Sequence, residues 1–279
     1  MASWGSGDVV ANGIRLHYTR TGDGAKPPLV LAHGFSDDGL CWTPVAEALA
    51  PDYDVVMVDA RGHGRSEAPE SGYGPAEQAT DLAGAIAALG LERPAILGHS
   101  MGAATTLVLA GTYPGVPRAI LLEDPGAGWV EETPEIVAAR QERWQGMRAW
   151  ITELQNKTRE QMIAGERARS PHWSDAELET WADSKRRLSP HVLNRGDAAP
   201  VDWPATLRRI TCPALLITGD PDRGAIITDD SAASLQTLLP QLQRVHIAGA
   251  GHSIRRDRLA PFLEAVRAFL RETDGEPKG

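Results

Sequence analysis

Five short stretches of the chain are apolar at nearly every position: PLVLAHG (28–34), VVMVDARG (55–62), PAILGHS (94–100), RAILLED (118–124) and PALLITGD (213–220). A strand wetted on one face alternates apolar and polar residues, whereas a strand covered on both faces has no such constraint. These runs therefore predict parallel strands lying between layers of helix. QRVHIAGAGH (243–252) extends the series, and VVANGIRLHYTR (9–20) reads as a hairpin turning at Asn12-Gly13. Helical patterns near 42–50, 75–89, 101–112, 229–239 and 257–271 separate the strands. Such alternation predicts a doubly wound, mostly parallel α/β sheet with its functional groups at the C-terminal strand ends.

One interval breaks the rhythm. Between Asp124 and Pro213 no strand pattern occurs, and helical patterns appear instead at 134–149, 151–169 and 175–188, punctuated by Ser170-Pro171 and Ser189-Pro190. A structureless loop of that length is implausible in a compact domain, so the interval predicts a helical cap over the active edge of the sheet. The expected division is a core of 1–128 and 204–279 with a cap of 129–203. Six of the eight tryptophans lie in the cap: Trp129, Trp144, Trp150, Trp173, Trp181 and Trp203. Some are expected to fill the cap's own core and others, Trp129 and Trp150 among them, to face an apolar substrate pocket. The polar tail RETDGEPKG is expected to fray.

Composition narrows the partners. The 279 residues are 42% hydrophobic, enough for a substantial core, and 28 Lys and Arg against 37 Asp and Glu give a formal net charge of −9. That balance argues against nucleic acid or an anionic membrane as a partner. No apolar run approaches the roughly 20 residues needed to span a bilayer, and the N-terminus lacks the pattern of a signal peptide. Cys41 and Cys212, the only cysteines, have no metal-ligand spacing, so a cytoplasmic location, buried thiols and no metal or cofactor are expected. The chain is expected to be a monomer or homodimer.

Candidate chemistry centres on Gly98-His99-Ser100-Met101-Gly102, placed where a strand becomes a helix. A serine at the apex of so sharp a turn takes strained backbone angles, and small flanking residues let strand and helix approach. Its hydroxyl needs a base to become a nucleophile. His252, on the Gly-rich loop AGAGH after the last strand, is the candidate, while His99 is expected to pack within the turn. Backbone N–H groups are an economical source of oxyanion donors. Met101 N–H follows the nucleophile directly, and Phe35 N–H follows Gly34, which lets that backbone turn toward the site.

Taken in order, HGF (33–35), DARGHGRS (59–66), GHSMG (98–102), GDPD (219–222) and GAGH (249–252) resemble the α/β-hydrolase superfamily over almost the whole chain. The resemblance implies an eight-stranded, mostly parallel sheet with helices on both faces, a helical cap inserted after strand six, and a Ser–His–acid triad. DARGHGRS would be architectural. For the acid, the common family pattern after strand seven matches Asp222. A branch that includes lactonases takes its acid after strand six, twenty-four positions beyond the nucleophile, which here is Asp124; Glu123 and Asp220 are lesser alternatives. The implied activity is cofactor-independent hydrolysis of a small to medium, largely apolar carboxylic ester or lactone. The alternatives are a C–C hydrolase of ring-cleavage products, for which Arg140, Arg143, Arg148 and Arg159 offer cations, and a small-molecule receptor that keeps the triad.

Overall fold

The computed structural model describes residues 4–131, 133–194 and 198–274. The side chain of Arg140 and the tail from 275 lie outside the described residues. In chain order the elements are β1 (Gly5–Ala11), β2 (Ile14–Arg20), β3 (Pro28–Ala32), α1 (Thr43–Leu49), β4 (Asp54–Val58), α2 (Pro75–Ala88), β5 (Ala95–His99), α3 (Met101–Thr112) and β6 (Ala119–Glu123). There follow α4 (Pro134–Gln155), α5 (Arg159–Arg169), α6 (Asp175–Arg186), α7 (Trp203–Arg208), β7 (Ala214–Thr218), α8 (Asp229–Leu238), β8 (Leu242–His246), α9 (Ile254–Asp257) and α10 (Leu259–Asp274).

The eight strands form one sheet in the order β1-β2-β4-β3-β5-β6-β7-β8. The β1–β2 hairpin and the β2–β4 pairing are antiparallel, and every other pairing is parallel. Alternate residues of the central strands feed opposite layers. Leu29, Leu31, Val55, Met57, Leu97 and Leu121 pack with α1 and α10 on one face. Val30, Val56 and Ile96 pack with α2 and α3 on the other, where Ile120 and Leu216 meet α3, α7 and α8. Every residue of β4, β5, β6 and β7 is buried, which is why those strands read as unbroken apolar runs.

The helical insert α4–α6 joins β6 to β7. The expected break near residue 150 is absent: α4 runs through to Gln155, and the break comes at Asn156–Thr158. There Thr158 caps α5 by accepting from Gln161 N, and the Gln161 side chain answers the Thr158 N–H, so the chain restarts at a capping box. The last strand is also shorter than its pattern suggested, ending at His246, because 247–252 form the loop that carries His252. DARGHGRS is a wrapped turn: Asp59 accepts from Gly39 N and Arg65 N, and buried Arg61 pairs with Asp81.

Candidate active site

Ser100 sits between β5 and α3 at φ 50°, ψ −109°, a backbone conformation that costs an L-residue about 1–3 kcal/mol. The two glycines make the turn possible. A Cβ on Gly98 would run into the Gly102 backbone, and one on Gly102 would collide with the Ala32 and His33 carbonyls. The turn is tied to the next strand, because Ser100 N donates to Glu123 O at 2.9 Å. Ser100 is partly exposed. Met101 is the first residue of α3, so its N–H belongs to the turn whose donors have no intrahelical acceptor. Across from it, Phe35 follows β3 and precedes Ser36, which takes φ 67°.

The structure assigns the histidine's partner. His252 Nδ1 donates to Asp124 Oδ2 at 2.6 Å, and the Asp124 side chain is fully buried. Asp124 turns inward because it takes φ 41° at the end of β6. Its carboxylate also accepts from Ile226 N at 2.8 Å and Ile227 N at 3.0 Å, leaving it well supplied with donors. Asp222 does not take this place: it is exposed, on the turn Pro221–Arg223 that carries it away from the sheet. Asp220 accepts from Gly249 N and pairs with His246, and Glu123 pairs with Arg255, so neither alternative faces His252.

His252 itself is held on two sides. His99 Nε2 donates to the His252 carbonyl at 3.0 Å, and the two rings lie 4.8 Å apart. The His99 ring edge occupies the space a Cβ would need on Gly34, which is why that position is glycine. Gly251 N donates to Asp257 Oδ2 at 2.7 Å, fixing the residue before the histidine. The His252 side chain keeps 35% exposure.

Burial sets the charge of the neighbouring histidines. It pushes His63 down from 6.5 to about 3, and burial together with the Arg255 charge lowers His99 as well. His63 is therefore neutral when folded, donating from Nδ1 to Arg61 O and accepting from Ser36 N. Between pH 6.5 and about 3 the unfolded chain binds the proton that folded His63 refuses. Its contribution to stability is thus complete above pH 6.5 and declines on acidification. The expected slope is about 1.4 kcal/mol per pH unit for each such group. Urea titrations between pH 7.5 and 5 should show it, with a smaller slope in His63→Gln; an equal slope would place the titration elsewhere.

The tryptophans distribute differently from the expected roof. Trp129 is not at the pocket: its Nε1 donates to Ser231 O at 2.9 Å, and its ring meets Trp203 edge-on at 6.2 Å, within the core beside α7 and α8. Trp173 and Trp181 fill the interior of the insert with Leu154, Met162 and Leu178. Trp150 packs against that interior and also against the cluster containing Phe35 and Tyr73. Trp144 approaches the site too, with its ring 5.5 Å from that of Phe35. Of the arginines of the insert, Arg159 pairs with Asp183, Arg148 donates to Leu193 O and Arg143 is exposed.

Between the turns carrying Phe35 and Met101 runs a crevice lined also by His63, Tyr73, Gln78 and Val192, too narrow for a water molecule. A second feature had no sequence signal. Asp37, Glu123, Lys185, Arg255 and Arg256 come together as a buried ionic cluster drawn from four separated parts of the chain. Burial opposes the charge on Asp37, yet Arg256, Lys185 and Arg255 hold its carboxyl well below the usual range. Among the described residues no group of three or more His, Cys, Asp or Glu is placed to hold a metal, and no helix is long and apolar enough to cross a membrane.

Residues 27–255 match the alpha/beta hydrolase fold family. The chain is 32% identical to an N-formylmaleamate deformylase of Pseudomonas putida, over 95% of this chain and 96% of that one. It is 24% identical to a 2-(acetamidomethylene)succinate hydrolase of Mesorhizobium japonicum, over 88% and 89% respectively. Among solved structures it resembles the enol-lactonase of Burkholderia xenovorans LB400, with a TM-score of 0.73 and 25% identity over 95% of this chain and 100% of that one.

Proposed function

Since the chain belongs to the alpha/beta hydrolase fold family, we propose that Ser100, His252 and Asp124 form the triad of a hydrolase that removes a short acyl group from a small N-acyl substrate. The observation that carries the triad is the 2.6 Å bond from His252 Nδ1 to a fully buried carboxylate. In this reading Ser100 Oγ attacks the acyl carbon while His252 Nε2 takes its proton. Asp124 holds the imidazole in the required tautomer and stabilises its charged form. The tetrahedral oxyanion is held by the N–H groups of Phe35 and Met101. His252 then protonates the departing nitrogen, and water, deprotonated by the same imidazole, releases the acid from Ser100. The helices α4–α6 serve as a cap over this site.

One observation supports a short acyl group. The two relatives named above are a deformylase and a hydrolase of an acetamido compound. An ester or lactone is the second reading, supported by the likeness to an enol-lactonase, and the same acyl-enzyme chemistry serves it. Formyl, acetyl and propionyl derivatives of one amine and of one phenol separate the readings by kcat/KM. A fluorophosphonate should add covalently to Ser100, located by peptide mass spectrometry. Addition at a different serine would overturn the triad.

The crevice makes its own prediction. Val192, on the turn Pro190–Leu193, closes one side of it. Val192→Ala should raise the propionyl-to-formyl ratio of kcat/KM by about threefold to tenfold, because each newly buried methylene is worth about 0.8 kcal/mol. An unchanged ratio would mean that the acyl group does not reach the space opened beside Val192.

A further inference from the structure

Lys185 lies on α6 in the cap, yet its ammonium group ends inside the core, and the residue is only 4% exposed. It donates to Asp37 Oδ1 at 2.7 Å, to the Ser36 carbonyl at 3.0 Å and to Ser184 Oγ at 3.2 Å. An ammonium is costly to bury, and apolar contacts alone would dock a helix at lower cost. What the ammonium grips is the turn directly after Phe35. Ser36 takes φ 67° without being glycine, a conformation that persists only where surrounding groups hold it. The other oxygen of Asp37 accepts from Arg255 at 3.2 Å and Arg256 at 3.0 Å, three and four residues beyond His252. Arg255 also binds the Glu123 carboxylate, next to Asp124. A single carboxylate thus joins the cap, the Phe35 turn and the histidine loop.

We propose that Lys185 is a positioning residue for the oxyanion site: it fixes the Ser36–Asp37 turn so that Phe35 N–H faces the developing charge, and the site is complete only when the cap is docked. This rests on the reading of Phe35 N–H as an oxyanion donor. Stabilisation of charge that exists only in the transition state changes kcat and leaves ground-state binding alone. Arg187 provides a contrast, because it docks the same helix through Asp38 without touching Ser36 or Asp37.

The test is Lys185→Met, with Arg187→Met as the docking control. Three quantities are measured: kcat, the Ki of a trifluoromethyl ketone that becomes tetrahedral on Ser100, and the Ki of the product carboxylate. Removing an oxyanion donor outright costs about 100-fold to 1,000-fold, so misaligning one should lower kcat about 10-fold to 100-fold. The ketone should weaken by the same factor, the product Ki should stay within twofold, and Arg187→Met should change kcat less than threefold. If Lys185→Met does not fold, Lys185→Gln, which keeps a donor for the Ser36 carbonyl, should show the same split at smaller size. An unchanged kcat, or equal losses for ketone and product, overturns the proposal. Fluorophosphonate addition to Ser100 in the unaltered protein separates the two failures: with addition, only the role of Lys185 falls, and without it the triad falls too.

Discussion

Ser100→Ala is expected to lower kcat about a millionfold, the scale on which loss of a nucleophile is felt in a serine hydrolase. Without the hydroxyl no acyl-enzyme forms, and the remaining rate is that of water attacking a substrate held beside the oxyanion donors. The fold should not pay for the change. The side chain is partly exposed and its turn is held by backbone: Ser100 N on Glu123 O, and Gly98 against Gly102. Thermal unfolding should shift by less than about 1 kcal/mol, the usual range for such a site. Single-turnover rates beside melting curves provide the check, and a mutant that retains even one-hundredth of the wild-type rate would place the chemistry elsewhere.

Asp124→Asn should lower kcat about ten-thousandfold, because an amide there favours the wrong imidazole tautomer. The local geometry leaves no easy accommodation. Asp124 receives three N–H donors, from His252, Ile226 and Ile227, so whichever way the asparagine turns, its NH2 group meets a donor. Asp222→Asn, on the exposed turn after β7, should leave the rate within twofold. Steady-state kinetics on both variants decide between the two acids, and a large loss in Asp222→Asn alone would reverse the assignment.

The central strands were legible because burial on both faces leaves no polar residue to interrupt them. The sequence pattern of edge strand β8 overruns its end, since the apolar and glycine-rich residues after His246 look like strand but form a loop. The nucleophile, the histidine and both oxyanion residues could be proposed because each sits in a short motif whose spacing reflects a local backbone need. The acid could not be chosen, since its selection depends on φ at Asp124 and on amides a hundred residues away. Tryptophan positions showed where a second helical layer begins but not which way each ring points. Lys185 left no trace at all: in ETWADSKRR it has the pattern of a solvated helix face, and only the fold brings Asp37 to it.

Strands β5 and β6 are neighbours, with His99 paired to Glu123 across the ladder, and Ser100 and Asp124 are the next residues of each. Their separation is consequently ruled by the spacing of two hydrogen-bonded strands, about 4.8 Å, and by no loop. The long segment from β6 to β7 can change length without moving Ser100 relative to Asp124, whereas the connection after β7 is bound to the Asp124 carboxylate through the amides of Ile226 and Ile227. In the proposed triad the pairing of nucleophile with acid is therefore heritable apart from the helical insert, whereas the Phe35 turn, gripped by Lys185 of that insert, must change in step with it.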